Sequence, residues 1–193
     1  MPPRVSKQHG PRCGLSETIE TGQLIPLLND YAEAVITAVQ SAGGDVLKLI
    51  GDGVLAIFAG AKPPHACRAA MEAERDMRER LSDLALRRHR AGQPVADIHL
   101  GLHVGDVFYG NVGSPARLDF TVVGQAVNEV SRISTMCQSV GRNMLCSSEF
   151  RGLLPSNTQK GLVSVGRYAL RGVGRAQELF TIDPELALAE PSL

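Results

Sequence analysis

Lys48 and Asp52 stand four residues apart in the segment LKLIGDGVLAIF, residues 47–58. Asn128 and Arg132 are also four apart, in LDFTVVGQAVNEVSRI, residues 118–133. A turn carboxylate between two glycines, a lysine in an apolar run, and an amide and a guanidinium on one helical face form a set suited to a nucleoside triphosphate. A hard cation such as Mg²⁺ is bound through one or two carboxylates plus substrate phosphates, and glycine neighbours let the backbone approach a triphosphate closely. Positions four apart share a helix face, and arginine's planar fork suits phosphate oxygens on which charge develops. Each feature also has a plain structural reading. Asp52 then is a solvated hairpin residue, Lys48 a side chain snorkelling from a sheet edge, and Asn128 with Arg132 a surface polar pair. Their joint occurrence in this order is what gives them weight.

The surrounding pattern says which elements must position these residues. Leu24, Leu27, Leu28, Tyr31, Val35, Ile36 and Val39 recur at three and four, predicting a helix over 22–42 that stops at Gly43 and Gly44. Residues 45–50 and 54–58 are β-rich and joined by Gly51, Asp52 and Gly53, the short glycine-bearing connection of a hairpin. A second helix is expected over 65–90, rich in Ala, Glu, Arg, Met and Leu. Strands are expected at 98–104, 107–112 and 118–123. A helix over about 125–137 should carry Val127, Val130, Ile133 and Met136 on its buried face. Further strands are expected at 144–146, 162–168 and 178–182. This order predicts an α+β domain, one mostly antiparallel sheet with helices packed on one face, spanning 15–182 between an irregular 1–14 and a loose tail at 183–193.

Composition narrows the function classes. The 193 residues, 44% hydrophobic, suffice for one full core. Lys plus Arg and Asp plus Glu each total 20, so no global field draws the chain to nucleic acid or an anionic membrane. Cys13, Cys67, Cys137 and Cys146 show neither CxxC pairing nor zinc spacing, which favours reduced thiols in a cytoplasmic protein. No apolar run approaches the ~20 residues needed to span a bilayer, and the basic N-terminus lacks an apolar signal region. The glycines of HVGDVFYGNVG, with His103 and Asp106, either turn backbone amides toward an anion or mark strand turns and bulges. GxGxxG, GxxxxGK[ST], GxSxG and HExxH do not occur in positions that would support Rossmann, P-loop, serine hydrolase or zinc protease chemistry.

Together, LKLIGDGVLAIF, HVGDVFYGNVG and LDFTVVGQAVNEVSR resemble the catalytic domain of class III nucleotidyl cyclases, the adenylate and guanylate cyclase family. The likeness runs from about Leu15 to Ile182. It implies a ferredoxin-like α+β fold, a head-to-tail homodimer, and cyclisation of a nucleoside triphosphate to its 3′,5′-cyclic monophosphate with Mg²⁺ or Mn²⁺. Asp52 resembles the second of the family's two metal aspartates. Lys48 and Thr121 match the purine-reading positions, Asn128 the residue that orients the ribose, and Arg132 the one that stabilises charge on the α-phosphate. In such a dimer the metal aspartates come from one chain and the purine and transition-state residues from the other, so Lys48 and Asp52 would serve different active sites. A lysine ammonium donates to an adenine ring nitrogen but cannot accept from guanine N1–H, so the resemblance favours ATP and an adenylate cyclase of bacterial type.

The likeness departs from the family pattern at two places. The family opens with an apolar strand ending in the first metal aspartate, shortly before a segment like RGFTxLSE. Here that neighbourhood is QHGPRCGLSE, and the first acidic residue is Glu17, so the opening strand and the first aspartate are expected to be missing. Near the C-terminus many members place a phosphate-contacting lysine, where this chain has ALRGVGRAQELF, leaving Arg171 or Arg175 as the substitute. The alternative to a cyclase is therefore a non-catalytic nucleotide-binding or regulatory module of the same fold.

Overall fold

The spacing of three and four in the first apolar run produces α1 (Thr21–Ser41), which buries Leu27, Tyr31, Val35, Ala38 and Val39. The computed structural model describes residues 21–60, 62–114 and 117–183. After α1 come the hairpin β1 (Asp45–Ile50) and β2 (Gly53–Ile57), then α2 (Pro63–Arg90). Pro63 and Pro64 open α2, where a missing N–H costs nothing, and Arg87, Arg88, His89 and Arg90 close it at the negative end of its dipole. Arg88 is buried, donates to Pro94 O at 2.7 Å and pairs with Asp30, fastening α2 to α1.

The chain continues through β3 (Leu100–Leu102), the hairpin β4 (Phe108–Ser114) and β5 (Arg117–Val123), and α3 (Gln125–Val140). It ends in β6 (Met144–Ser147), two single-turn helices α4 (Ser148–Gly152) and α5 (Ser156–Lys160), and the hairpin β7 (Leu162–Tyr168) and β8 (Gln177–Ile182). The short helices were not expected from the sequence. Ser147 caps α4 by accepting from Phe150 N at 3.2 Å.

The α+β class is as expected, but two details of the layering are not. Among the described residues the strands form three ladders, β1–β2, β4–β5 and the four-stranded β3–β6–β8–β7, where the pattern suggested one sheet. β3 runs parallel to β6, and the other pairings are antiparallel. Nor do the helices share one face. Leu100 and Leu102 face the large core with α1 and α2, whereas a Cβ on the intervening Gly101 would lie 2.7 Å from Val130 O and 2.8 Å from Ser134 N of α3. Alternation along β3 thus puts α3 on the opposite face.

That close approach also turns α3. Its buried face is Ala126, Glu129, Val130, Ile133, Ser134 and Cys137, so Val127 and Met136, expected at its centre, lie half-buried at its flanks. Gly105 does the same work one strand-end later, since a Cβ there would meet Ala126 Cβ at 2.6 Å. These glycines admit a helix. The expectations for 1–14, for the opening strand and first aspartate, and for the tail beyond Asp183 lie outside the described residues. No helix among the described residues is long and apolar enough to cross a membrane.

Candidate active site

Lys48 owes its placement to a bulge. The register of β1 against β2 slips between Val46 and Lys48, so Val46 opposes Ala56, Lys48 opposes Leu55, and Leu47 is the extra residue. Cross-strand partners share a face. Val54, Ala56 and Phe58 face the core with α1 and α2, while Leu55 and Ile57 belong to a second cluster with Val107, Val122 and Ala126, flanked by Leu47 and Val127. Lys48 is therefore on the face of β1 that meets β5 and the start of α3, and it is half-buried there.

Two further sequence candidates adjoin members of this second cluster along the chain, though on other faces: Thr121 points away from the face of β5 that carries Val122, and Asn128 is exposed beside Val127. Thr121 is half-buried and stands opposite Gly110 in the β4–β5 ladder. By alternation it shares a face with Phe108, Val112 and Val123, which are exposed by 68%, 50% and 48%.

Asn128 is exposed on α3, and Arg132 lies half-buried one turn on. A Cβ on Gly172 would stand 3.7 Å from Arg132 Nη2, which places the Arg132 guanidinium against the turn between β7 and β8. Arg171 is the exposed residue next to Gly172. Arg175, the other basic candidate, pairs with Glu149 of α4 at 3.2 Å. Of the two, Arg171 stands at the Arg132 end of the turn.

Asp52 is held elsewhere. It occupies the β1–β2 turn, half-buried, between Gly51, whose φ of 61° is in the left-handed region, and buried Gly53. It lines a cavity of about 170 Å³ against α1, with Ile25, Leu28, Asn29 and Val35. The structure thus brings Arg132 to the turn that holds Arg171, with Asn128 one helical turn away, puts Lys48 and Thr121 on the β1–β2 and β4–β5 hairpins, and sets Asp52 on the α1 side of the first hairpin. As a hard-oxygen donor in a glycine turn, Asp52 suits one ligand position of Mg²⁺ or Mn²⁺, with phosphate oxygens supplying others. Among the described residues no three His, Cys, Asp or Glu side chains cluster as a complete metal site.

A buried polar network under α3 escaped the sequence reading. His103, 5% exposed, meets Ser147 Oγ at 2.8 Å through Nδ1 and Glu129 Oε2 at 3.4 Å through Nε2. Gln177 Nε2 donates to Glu129 Oε2 and Gln125 Nε2 to Glu129 Oε1, both at 2.7 Å. Ser147 Oγ already accepts from Phe150 N, so its hydroxyl proton is available for His103 Nδ1, which leaves the ring proton on Nε2 facing the carboxylate. Burial lowers the His103 pKa below 6.5 against the opposing pull of Glu129 and Glu149, which favours the neutral ring. The signal available in the sequence was Glu129 itself, a charged residue on the apolar side of an amphipathic helix. Cys137 and Cys146 are buried thiols, and burial pushes Cys137 up to about 12, so neither is a nucleophile at neutral pH.

Known proteins resemble the chain over most of its length. The sequence family described as "Adenylate and Guanylate cyclase catalytic domain" matches residues 13–183. An adenylate cyclase of Anabaena cylindrica is 33% identical over 131 residues, 68% of this chain and 26% of that protein. Adenylate cyclase 1 of Rhizobium meliloti is 27% identical over 177 residues, 84% of this chain and 26% of that protein. The chain therefore spans about a quarter of the length of these curated relatives. The crystal structure of the adenylyl cyclase CyaB from P. aeruginosa superposes with a TM-score of 0.81 at 23% identity, covering 95% of each chain. The guanylyl cyclase Cya2 superposes at 0.78 with 20% identity, covering 93% of this chain and 91% of that one.

Proposed function

Because this chain belongs to the adenylate and guanylate cyclase catalytic domain family, we propose that it is an adenylate cyclase, converting ATP to 3′,5′-cyclic AMP and pyrophosphate. The observation that carries this reading is α3, where Asn128 and Arg132 stand one turn apart and Arg132 lies against the turn that holds Arg171. Two cationic side chains are thereby available to one polyphosphate, with an amide a helical turn away to orient the sugar.

In this reading the ribose 3′ oxygen attacks the α-phosphorus, the bond to the β-phosphate oxygen breaks, and pyrophosphate leaves. Little covalent work falls on the protein, so its contribution is positioning and electrostatic stabilisation. Asn128 orients the ribose, Arg132 neutralises charge gathering on the α-phosphate, and Arg171 holds the leaving pyrophosphate. Lys48 and Thr121 read the base, and the ammonium of Lys48 favours adenine over guanine. Asp52 holds the Mg²⁺ or Mn²⁺, which supplies Lewis-acid charge stabilisation when bound.

The separation of Asp52, beside α1, from Asn128 and Arg132 on α3 supports a site shared between two chains in a head-to-tail homodimer. The exposed Phe108, Val112 and Val123 offer the second chain an apolar surface on the same face as Thr121. We place the domain in the cytoplasm, where nucleoside triphosphate is supplied and buried thiols such as Cys137 stay reduced.

The deciding experiment measures cyclic nucleotide made by the purified protein from ATP or GTP with Mn²⁺ or Mg²⁺, beside an Asp52→Ala control. Cyclic AMP that disappears in the control supports the reading. Cyclic GMP made from GTP in place of cyclic AMP reassigns the substrate, and nucleotide bound without turnover supports the regulatory module.

A further inference from the structure

Glu129 sits on α3 directly after Asn128 and three residues before Arg132, yet it is 8% exposed and points into the protein. Burying a carboxylate is costly unless it is paired or well hydrogen-bonded. Three donors from three elements meet it: Gln125 of α3, Gln177 at the first residue of β8, and His103 beyond the end of β3. Among the described residues no arginine or lysine pairs with Glu129, and Arg175 at the rim of the site is turned to Glu149. A leucine would fill the same space without that cost.

Gln177 is also where the β7–β8 turn ends. The residues 169–176 run from Leu170, packed with Ile133, Cys137, Leu145 and Leu179, past Arg171 and Gly172 to Gln177. Besides the packing of Leu170 on Ile133 and Cys137, two polar side chains join this segment to α3, Arg132 beside Gly172 and Glu129 bonded to Gln177. The Arg132 contact is loose and the Glu129 contact is a charge-assisted hydrogen bond, so Glu129, with the Leu170 packing, sets the register in which Arg132 meets the turn.

We propose that Glu129 is a positioning residue: clamped by Gln177 and His103, it fixes the turn of α3 that carries Asn128 and Arg132 against the turn that carries Arg171. The clamp rests on the cyclase reading only for its consequence in turnover; the contact itself is independent of any activity. Gln177 has a built-in reserve, because its buried Oε1 has no hydrogen-bond partner. In a Glu129→Gln variant the Gln177 amide can reverse and accept from the new amide, preserving the contact without the charge.

The test uses Glu129→Leu, Gln177→Leu and Glu129→Gln in the full chain. Both leucine variants are expected to lower kcat about tenfold while the nucleotide KM stays within about twofold, because the loss falls on the transition state. Glu129→Gln is expected to retain kcat within about threefold of the parent, and the two leucine changes should be non-additive when combined. Amide exchange over 125–132 and 169–177 should quicken about tenfold in both leucine variants, a readout that needs no turnover. Parent-like exchange in Gln177→Leu overturns the clamp, as does a Glu129→Gln variant as impaired as Glu129→Leu. If Glu129→Leu does not fold, Gln177→Leu carries the same comparison from the other side of the bond. A parent that makes no cyclic nucleotide removes the cyclase reading, and exchange alone then decides the clamp.

Discussion

Arg132 reaches Gly172: Nη2 of the one lies 3.7 Å from the position a Cβ would take on the other. The guanidinium thereby bridges α3 to the β7–β8 turn, two elements separated in the chain by β6, α4, α5 and β7. It is half-buried, so a charge it stabilises is partly shielded from water.

Arg132→Ala should therefore reduce turnover by about 100-fold or more, the scale seen when one preorganised donor to a developing charge is removed. Its thermal midpoint should move by no more than about 2 °C, since little apolar burial is lost. Retention of most activity in a folded variant would contradict the role assigned to this residue.

Asp52 and Arg132 occupy different regions of one chain, which makes a shared site testable by mixing. Asp52→Ala and Arg132→Ala should each be inactive alone. Mixed in equal amounts they should recover about a quarter of parent activity, because half the dimers are mixed and each has one intact site of two. No recovery, with dimers demonstrated by sedimentation, counts against the composite geometry.

Gly101→Ala should destabilise the protein by about 1–3 kcal/mol, as expected when a packed interface must give way. The added methyl meets backbone atoms of Val130 and Ser134, which cannot rotate aside. Gly22 in α1 has nothing within 4 Å of the equivalent position. Gly22→Ala should be neutral or stabilising by up to about 1 kcal/mol. Urea midpoints of the two variants make the comparison, and equal midpoints would remove the close α3–β3 approach as its explanation.

Acid should weaken the fold through His103. Burial depresses its folded pKa below 6.5, despite the opposing carboxylates of Glu129 and Glu149. Below pH 6.5 the unfolded chain takes up a proton that the folded chain refuses, so stability falls as pH drops through that value, by up to about 1.4 kcal/mol per pH unit. The loss ends once pH passes the depressed folded value. A His103→Gln variant lacks this component and should lose less stability between pH 7.5 and 5.5 than the parent. Parallel losses in denaturant titrations would show that His103 is not the group responsible.

Much of the site was legible because its signals are local. The glycines around Asp52 announce a hairpin turn wherever it lies in the fold, and β1 spans 45–50 as read. The four-residue spacing of Asn128 and Arg132 puts them on one helical face whatever that helix packs against. The likeness of three short motifs to one family depended on order and identity, and the family comparison bears it out.

The tertiary structure decided what depends on residues far apart in the chain. The bulge at Leu47 turns Lys48 toward β5, and no local pattern in DVLKLI specifies the slip, which arises from pairing with β2. The strand pattern could not show that α3 lies across the sheet from α1 and α2, because alternating Leu100, Gly101 and Leu102 reads as a weak strand until the helix above Gly101 is seen. Glu129 stands out as a charge on the apolar side of α3, but what pairs it is not visible until His103 and Gln177 converge on it from beyond β3 and from β8. Sequence alone determined which chemistry-bearing residues this chain has and the local elements that hold them. The packing of elements distant in sequence decided which face each residue presents, because side-chain direction is set by register and close contact and not by residue type.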